Sequence, residues 1–309
     1  MTTDFKSGFV AVIGKPNVGK STLINALLGQ KVAAVSPKAQ TTRRRQLGIL
    51  TTGEAQLVFV DTPGLHNPRH KLGQYLNQEA EEALSGVDVI LWLVDASQEP
   101  DEEDLMIAAL LRSVLPGGGA KRRAPDLVLG LNKIDLLPVG ALEARQAAYQ
   151  AQVPGAAALA FSAVSGQGRG HLLTALLERL PVRAPEFPEE QVTDLYEREI
   201  ATELVREAAL LHLRDEVPHC LAVRMDEYTE RTDGNAYVHA TLFVEKESQK
   251  GIVIGGGGGM LKKIGSTARQ EIEAMSGRKI YLELRVKVEK NWRENENALK
   301  RSGYKIKNK

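Results

Sequence analysis

Apolar runs and amphipathic segments alternate over the first 180 residues of the chain. Continuous apolar runs bounded by turn residues predict strands that are buried on both faces, at residues 8–14, 56–61, 87–95, 126–132 and 157–163. Apolar positions at helical spacing predict helices between these strands, near residues 20–28, 73–85, 101–115, 141–149 and 168–180. This alternation is typical of a doubly wound α/β domain with a mostly parallel sheet.

A proline-rich stretch at residues 181–190 interrupts the alternation and predicts a linker. We therefore expect one domain over residues 1–180 and a second over residues 191–309. Within the first domain, the glycine-rich residues 115–125 predict an exposed loop.

The pattern beyond the linker predicts a smaller α+β unit. A helix with Thr193 or Asp194 as its N-cap comes first, with apolar residues at helical spacing at Ile200, Leu204, Ala208 and Leu211. An Asp-Gly pair within residues 232–235 predicts a hairpin, and the strand after it alternates one buried set, Val238, Ala240, Leu242 and Val244. A helix over about 260–276 and a strand over 279–289 complete the order helix, strand, strand, helix, strand.

Composition indicates a globular protein of a reducing compartment. The 309 residues are 43% hydrophobic and 26% charged, values typical of soluble globular proteins. The single cysteine, Cys220, excludes an intramolecular disulfide, and we expect it to be a small apolar core residue. Because no apolar stretch reaches about 18 residues and the amino terminus lacks a signal-peptide core, we expect a protein that is neither exported nor membrane-spanning.

Charge is distributed unevenly along the chain. The net charge is +1, but residues 236–309 carry 16 Lys and Arg against 8 Asp and Glu, and the remaining residues carry 24 against 31. A basic carboxy-terminal region on an acidic chain favours a polyanionic partner. A solvated surface of mixed charge is the alternative that charge alone leaves open.

The segment "GKPNVGKS", Gly14 to Ser21, matches the phosphate-binding pattern G-x-x-x-x-G-K-[ST] and lies between a predicted strand and a predicted helix. Its backbone N–H groups and the helix N-terminus suit a bound phosphate. Lys20 would reach the β- and γ-phosphates, and the Ser21 hydroxyl would ligate Mg²⁺. A glycine-rich turn with a solvated lysine is the alternative.

Three further motifs end predicted strands, where open α/β sheets bind their ligands. In "DTPG" (61–64), Asp61 would face Mg²⁺ through water, and the Gly64 N–H would sense the γ-phosphate. In "NKID" (132–135), a buried Asp135 carboxylate would accept hydrogen bonds from the guanine N1–H and amino group, a pairing that adenine cannot offer.

The remaining residues of these motifs would complete the base site. Asn132 and the stem of Lys133 would brace the loop and the base plane, and in "SA" (162–163) the Ala163 N–H would donate to guanine O6. Taken alone, each tetrapeptide is equally compatible with an ordinary turn. Their occurrence in order, each at a strand end, indicates a guanine-nucleotide site.

These motifs resemble those of the translation-factor-like small GTPases. The resemblance implies that "AQTTRRR" (39–45) is a mobile switch segment with a Mg²⁺-ligating threonine, for which we favour Thr42 over Thr41. Leu65 stands where Ras-type enzymes carry the glutamine that orients the attacking water, so we expect slow intrinsic hydrolysis. Asn17 is the residue type that helps hold K⁺ in the related potassium-activated GTPases, which implies stimulation by K⁺.

The glycine run within "GIVIGGGGGMLKKIG" (251–265) has structured flanks, which argues against a flexible tether. Apolar residues follow it on one face of a helix, at Leu261, Ile264, Ala268 and Ile272. The pattern Ile254-Gly255-x-x-Gly258-x-x-Leu261 resembles a KH domain, whose G-x-x-G loop clamps single-stranded nucleic acid, and the element order is similar to that of type II KH domains. Lys262, Lys263 and Arg269 would add positive charge.

From residue 8 to 304 the chain resembles the Era family of ribosome-assembly GTPases, including "VTDLYEREIATELVRE" (192–207) and "VKVEKNWRENENALKRSGY" (286–304). The resemblance implies an α/β P-loop GTPase domain followed by a smaller α+β type II KH domain. It also implies binding to the 3′ end of 16S ribosomal RNA, maturation of the small (30S) ribosomal subunit, and a cytoplasmic protein in peripheral contact with the inner face of the membrane. The family usually carries a basic residue between the two glycines of its G-x-x-G loop, whereas here Gly256 and Gly257 fill both of those places.

Two other functions stay open at this point: an RNA chaperone that uses GTP as a structural ligand, and a membrane-associated signalling GTPase whose basic region meets anionic lipid. We expect a monomer. The expected catalytic residues are Lys20, Thr42, Gly64 and Asn17, and the expected metal ligands are Ser21, Thr42 and Asp61. The expected nucleotide-binding residues are Gly14, Lys15, Pro16, Asn17, Val18, Gly19, Lys20, Ser21, Thr22, Asp61, Thr62, Pro63, Gly64, Leu65, Asn132, Lys133, Ile134, Asp135, Ser162 and Ala163. The expected RNA-binding residues are Ile254, Gly255, Gly256, Gly257, Gly258, Lys262, Lys263 and Arg269.

Overall fold

The computed structural model describes residues 4–35, 42–68, 70–115 and 124–301. They form two compact units, one made mainly of residues up to Asp194 and one mainly of residues from Leu195 onward. The proline-rich stretch belongs to the first unit, where the Ser7 N–H donates to the Pro181 carbonyl oxygen and the Gln56 side chain donates to that of Phe187. Most of the loop expected at residues 115–125, and the end of the Era-like tail, lie outside the described residues.

A six-stranded sheet organises the first unit, in the order β2-β3-β1-β4-β5-β6. All its neighbouring strands are parallel except β2, which runs antiparallel to β3. In chain order the elements are β1 (Lys6–Ile13), α1 (Lys20–Leu28), β2 (Gln46–Thr51), β3 (Ala55–Asp61), α2 (Lys71–Glu82), β4 (Val89–Asp95), α3 (Glu102–Val114), β5 (Asp126–Asn132), α4 (Leu142–Gln150), β6 (Ala157–Ala160) and α5 (Arg169–Arg179).

Both faces of this sheet are covered, which confirms the doubly wound α/β prediction. Leu23 of α1 and Leu172 of α5 pack into the core on one face. On the other face Ile107 of α3 and Tyr149 of α4 pack around Trp92. Since β1, β3, β4 and β5 are parallel, the residues that follow them lie at one edge of the sheet.

A three-stranded sheet and the helices beside it form the second unit, with β7 antiparallel to β8 and β8 parallel to β9. Helices α6 and α8 share one core with this sheet, in which Val238, Leu242, Ile264 and Ile272 are buried. The elements are α6 (Glu197–His212), β7 (Ala222–Glu230), β8 (Ala236–Val244), α7 (Glu247–Ile254), α8 (Gly259–Ser276), β9 (Ile280–Val288) and α9 (Glu296–Arg301).

Two expectations for the second unit are wrong, and one apolar residue of the predicted helix is exposed. Two helices, α7 between β8 and the glycine run and α9 after β9, are absent from the predicted order. Leu211 is 48% exposed. The N-cap of α6 is Tyr196, whose N–H donates to Glu199 Oε2, whereas Asp194 Oδ1 accepts the Leu47 N–H.

The expected burial of Cys220 is confirmed, and its carbonyl oxygen accepts a hydrogen bond from Trp292 Nε1 at 2.8 Å. Within the described ranges, every helix is too short or too polar to cross a bilayer.

Candidate nucleotide and nucleic-acid sites

Lys20 opens α1 and is the buried cation of the phosphate-binding loop. Its Nζ donates to the carbonyl oxygens of Gly14, at 3.1 Å, and Lys15, at 2.8 Å. Burial lowers the pKa of Lys20 to about 8, although the charge of Asp61 acts in the opposite direction. An ammonium that is held by two carbonyl oxygens in a buried loop is suited to an anionic ligand such as a phosphate.

Ser21, Thr42 and Asp61 meet beside this ammonium. Asp61 Oδ2 accepts hydrogen bonds from Ser21 Oγ at 2.7 Å and from Thr42 Oγ1 at 3.3 Å, and the two hydroxyl oxygens lie 2.9 Å apart. Thr41, the alternative to Thr42, lies outside the described residues. Gln46 Nε2, at 3.3 Å from Asp61 Oδ2, is a fourth member that the motifs did not reveal.

The Asp61 carboxylate is fully buried, and its Oδ1 has no hydrogen-bond partner among the described residues. Burial raises the pKa of Asp61, against the Ser21 hydrogen bond and the Lys20 charge, which lower it. Two hydroxyls and a carboxylate with a spare oxygen form the all-oxygen donor set that Mg²⁺ prefers. These residues therefore fit a Mg²⁺ ion.

The "DTPG" segment lies against the phosphate-binding loop. Thr62 Oγ1 donates to the Val12 carbonyl oxygen at 2.7 Å, and the Leu65 N–H donates to that of Gly14 at 3.2 Å. A Cβ at Gly64 would lie 2.7 Å from Pro16 Cα, so only glycine fits this approach. The Leu65 side chain is buried in the apolar core, and it has no polar group to offer a water molecule.

Asn132 joins three of the motifs. Its Nδ2 donates to the Val18 carbonyl oxygen, and its Oδ1 accepts the Ala163 N–H, each at 2.8 Å. The expectation that the Ala163 N–H is directed to a base is therefore wrong for this structure, because the Asn132 amide already uses that donor. Lys133 has a left-handed backbone, with φ 64°, and its Nζ lies 2.6 Å from Asp95 Oδ2.

Asp135 is exposed in a short 3₁₀ turn, Ile134–Leu136, and the expectation that it is buried is wrong. Among the described residues none donates a hydrogen bond to its carboxylate, which leaves it open to an incoming ligand. Ser162 is buried, and its Oγ accepts the Ser165 N–H at 3.0 Å. The base side of the site thus presents an exposed carboxylate on a loop that Asn132 braces.

Two residues of the phosphate-binding loop have features that the motif alone does not predict: the side-chain contacts of Lys15 and the backbone of Asn17. The Lys15 ammonium lies 2.6 Å from Asp101 Oδ2 and 2.7 Å from Asp104 Oδ2, at the start of α3. Asn17 is exposed and has a left-handed backbone, with φ 64°. Pro16 lies between them, Val18 and Gly19 follow Asn17, and Thr22 follows Ser21 in α1.

The glycine run of the second unit joins α7 to α8. Ile254 ends α7, Gly255 follows with φ 72°, a 3₁₀ turn spans Gly256–Gly258, and α8 begins at Gly259. Beside it lies a groove of about 470 Å³ whose lining includes Gly258 of the turn and polar and apolar residues of α8 and β9: Lys262, Ser266, Arg269, Leu282 and Leu284. Lys262 and Lys263 are exposed. An open glycine loop next to exposed cations suits a phosphodiester backbone.

Comparisons with known proteins match both units. The family model described as 50S ribosome-binding GTPase matches residues 9–133, and the KH domain model matches residues 216–293. The chain is 46% identical to GTPase Era of Geobacter metallireducens over 301 residues, which cover 97% of this chain and 98% of that protein. It is 44% identical to GTPase Era of Ruminiclostridium cellulolyticum with the same two coverages.

Two solved structures extend the similarity to the three-dimensional fold. One is Era in complex with MgGDPNP and nucleotides 1506–1542 of 16S ribosomal RNA, with 37% identity, a TM-score of 0.89, and coverage of 98% of this chain and 100% of that one. The other is a tyrosine-to-alanine variant of Aquifex aeolicus Era bound to GDP·AlF₄⁻, with 36% identity, a TM-score of 0.90 and the same coverage.

Proposed function

The chain belongs to the Era family of GTPases, and we propose that this GTPase binds the 3′ end of 16S ribosomal RNA through its KH domain and assists maturation of the small (30S) ribosomal subunit. The observation that supports this most strongly is the full-length likeness to the Era structure that contains MgGDPNP and a 16S ribosomal RNA segment. The nucleotide site lies in one unit of this chain and the glycine loop in the other.

In the nucleotide site, Lys20 neutralises the β- and γ-phosphates, and Ser21, Thr42 and Asp61 hold Mg²⁺. The metal, when bound, supplies positive charge to the phosphate oxygens. The residues support this role because the Lys20 ammonium is buried beside Asp61, whose Oδ1 is buried and without a hydrogen bond. The Gly64 N–H senses the γ-phosphate from a segment that is already tied to the loop at Gly14.

In the base site, Asp135 accepts the N1–H and amino hydrogens of guanine. Its exposed carboxylate becomes desolvated only when the base covers it, and adenine would leave it buried without a donor, at a cost of about 1–3 kcal/mol or more. Asn132 fixes the base-side loop against the phosphate-binding loop through its two hydrogen bonds. This arrangement favours GTP over ATP.

Hydrolysis in this site is slow without stimulation. The Leu65 side chain is buried and apolar, so backbone groups or a partner orient the attacking water. Asn17 stands in the phosphate-binding loop and assists a K⁺ ion that adds positive charge near the phosphates. Single-turnover hydrolysis in K⁺ and Na⁺ tests this part, and equal rates in the two salts would refute it.

In the KH domain, the backbone of residues 254–258 clamps the RNA, while Lys262, Lys263 and Arg269 neutralise its phosphates. The exposed cations beside the groove and the basic carboxy-terminal region support this role. We include in the proposal a monomer in the cytoplasm that is in peripheral contact with the inner face of the cell membrane.

Crosslinking of the full chain to total cellular RNA, with GTP, GDP or no nucleotide, tests the proposal. The bound segment is then mapped by sequencing. We expect the 3′ end of 16S ribosomal RNA to be recovered, most strongly with GTP. Recovery of another RNA would contradict the proposed target, and liposome binding that RNA cannot compete away would favour a membrane-associated signalling GTPase instead.

A further inference from the structure

Lys15 bonds to two carboxylates, although it lies within the phosphate-binding loop. Its Nζ lies 2.6 Å from Asp101 Oδ2 and 2.7 Å from Asp104 Oδ2, and its side chain is 11% exposed. The ammonium therefore faces the first turn of α3. The positive charge of Lys15 is thus compensated by Asp101 and Asp104.

The main chain of Lys15 has a separate role in the same loop. Its carbonyl oxygen accepts a hydrogen bond from Lys20 Nζ at 2.8 Å, and the preceding carbonyl, that of Gly14, accepts from Lys20 Nζ and from the Leu65 N–H. The direction of these two carbonyl groups sets where the Lys20 ammonium lies. The Lys15 side chain is attached to the residue that carries one of them.

The first turn of α3 is a rigid anchor for that side chain. Asp101 is the N-cap and accepts the N–H of Glu103 at 3.0 Å and that of Asp104 at 3.1 Å. Asp104 in return accepts the Asp101 N–H at 3.1 Å and the hydroxyl of Tyr149 at 3.3 Å. This reciprocal cap holds both carboxylates in place without Lys15.

Asp104 also explains why the contact is strong. Its side chain is fully buried, and its Oδ1 has no hydrogen bond among the described residues, so the Lys15 ammonium is the cation that compensates its charge. Burial raises the pKa of Asp104, against the Lys15 hydrogen bond, which lowers it. Removal of one partner of such a buried pair costs far more than loss of an exposed ion pair.

We propose that Lys15 is a positioning residue, which ties the phosphate-binding loop to the first turn of α3 and so holds the Gly14 and Lys15 carbonyl groups, and through them Lys20, in the conformation that receives the nucleotide. This inference rests on the proposed nucleotide site. Because the loop binds the β-phosphate, which GDP and GTP share, Lys15 contributes equally to binding of GDP and GTP. It acts on binding and not on the chemical step.

The test compares K15M and K15R with the wild-type chain by fluorescent GDP and GTP-analogue titration and by saturating GTP turnover. K15M is expected to raise the Kd of both nucleotides by the same factor, at least about tenfold, since small misplacements in such sites are costly. The kcat value at saturation should change less than about threefold. K15R keeps the charge and both acceptors, so it should restore both Kd values to within about threefold of wild type.

A matched control is K6M, because Lys6 Nζ also donates to two carbonyl oxygens, those of Leu177 and Glu178, at 3.2 and 3.1 Å. K6M is expected to lower the Tm without changing either Kd. If K15M lowers the Tm in the same way with both Kd values unchanged, Lys15 is only a stabilising residue and the inference is wrong. A rise in Kd for the GTP analogue alone would also overturn it.

Should K15M fail to fold, D101N removes one acceptor at a side chain that is 58% exposed. It should raise both Kd values by a smaller, equal factor, about threefold, and unchanged values would overturn the inference. Wild-type protein that binds neither nucleotide would contradict the proposed function, which keeps the two failures distinct.

Discussion

The glycine loop of the KH domain contains two adjacent positions that should respond to alanine in opposite ways. At Gly255 the backbone is left-handed, with φ 72°, and a Cβ would lie 2.7 Å from Met260 Cβ and 2.8 Å from Met260 N. At Gly256 the φ is outside the left-handed range, and a Cβ would meet nothing within 4 Å. G255A therefore introduces a steric conflict with Met260, and G256A, one position away, introduces none.

The structure sets the expected size of each effect. For G255A, the left-handed backbone costs an alanine about 1–2 kcal/mol, and the overlap with Met260 costs about 1–3 kcal/mol. Together they lower the free energy of unfolding of the second unit by about 2–5 kcal/mol. For G256A there is no conflict, and the smaller entropy of the unfolded chain should raise that free energy by about 0.4–1 kcal/mol.

Urea denaturation measures this difference directly. The second unit contains Trp292, which is buried, so its fluorescence reports unfolding there, and Trp92 reports the first unit. G255A should lower the midpoint of the Trp292 transition, while G256A should leave it unchanged or raise it. Equal destabilisation by the two variants would refute the steric reasoning.

The open space at Gly256 also allows a lysine, the basic character that the family usually has at this place. In G256K a cation would stand beside the proposed phosphate path and contribute about 0.2–1 kcal/mol, or about a 1.4- to fivefold tighter Kd for an RNA of the 16S 3′-terminal sequence. The slope of log K against log salt should steepen by about 0.7. Fluorescence anisotropy over a salt series measures both the Kd and the salt slope. K250M serves as a lysine control on α7. Unchanged or weaker binding by G256K would contradict the assigned phosphate path.

Three further predictions concern the first unit. D135N should lower GTP affinity at least about tenfold and raise the affinity for xanthosine triphosphate, whose base has a carbonyl group in place of the amino group. Titration with both nucleotides measures this. Retained GTP preference would be inconsistent with the assigned base contact. K20M should abolish the rise in Tm that GTP causes. The ligand-free Tm should stay equal or rise, since a buried ammonium with a pKa lowered to about 8 is costly without its anion. A Tm of K20M that still rises with GTP would contradict the assigned role of Lys20. Burial alone would raise the pKa of Asp95, but Lys133 and the Ser97 hydrogen bonds together outweigh it and lower the pKa below the usual 3.8. The stability from these contacts is thus present above about pH 4 and lost as the pH falls further. Urea denaturation at pH 3 to 6 should therefore show a smaller acid loss in D95N than in wild type, and equal losses would disprove it.

The edge of the sheet that carries the candidate nucleotide site could be predicted because parallel topology decides it. Once 8–14, 56–61 and 126–132 are strands of one parallel sheet, the residues after them must meet at one edge. Ser21 and Asp61 are accordingly in hydrogen-bond contact, and Asn132 reaches Val18. No detailed side-chain prediction was needed for that result.

Contacts between distant side chains could not be predicted in the same way. Gln46 reaches Asp61 because β2 pairs antiparallel with β3, and β2 itself was missed. It is a short edge strand with an irregular burial pattern, so neither a continuous apolar run nor strict alternation reveals it. The Thr52-Gly53 turn before β3 was the available signal for a hairpin.

In the second unit, tertiary contacts override local preference. The β-branched residues at 252–254 suggest a strand, yet they form the end of α7, where Val253 is fully buried in the core and Ile252 is half exposed. In α6 the buried stripe includes Leu210 and leaves Leu211 outside. Spacing alone could not separate these neighbours, because both are leucines.

The most direct test of the central claim is the affinity of the full chain for an RNA of the 16S 3′-terminal sequence, measured by anisotropy with a GTP analogue, with GDP and with ATP. We expect the tightest binding with the GTP analogue, weaker binding with GDP, no effect of ATP, and weak binding of a scrambled RNA in every state. Equal affinity for the two RNA sequences, or an affinity that does not depend on the guanine nucleotide, would contradict GTP-dependent binding of ribosomal RNA.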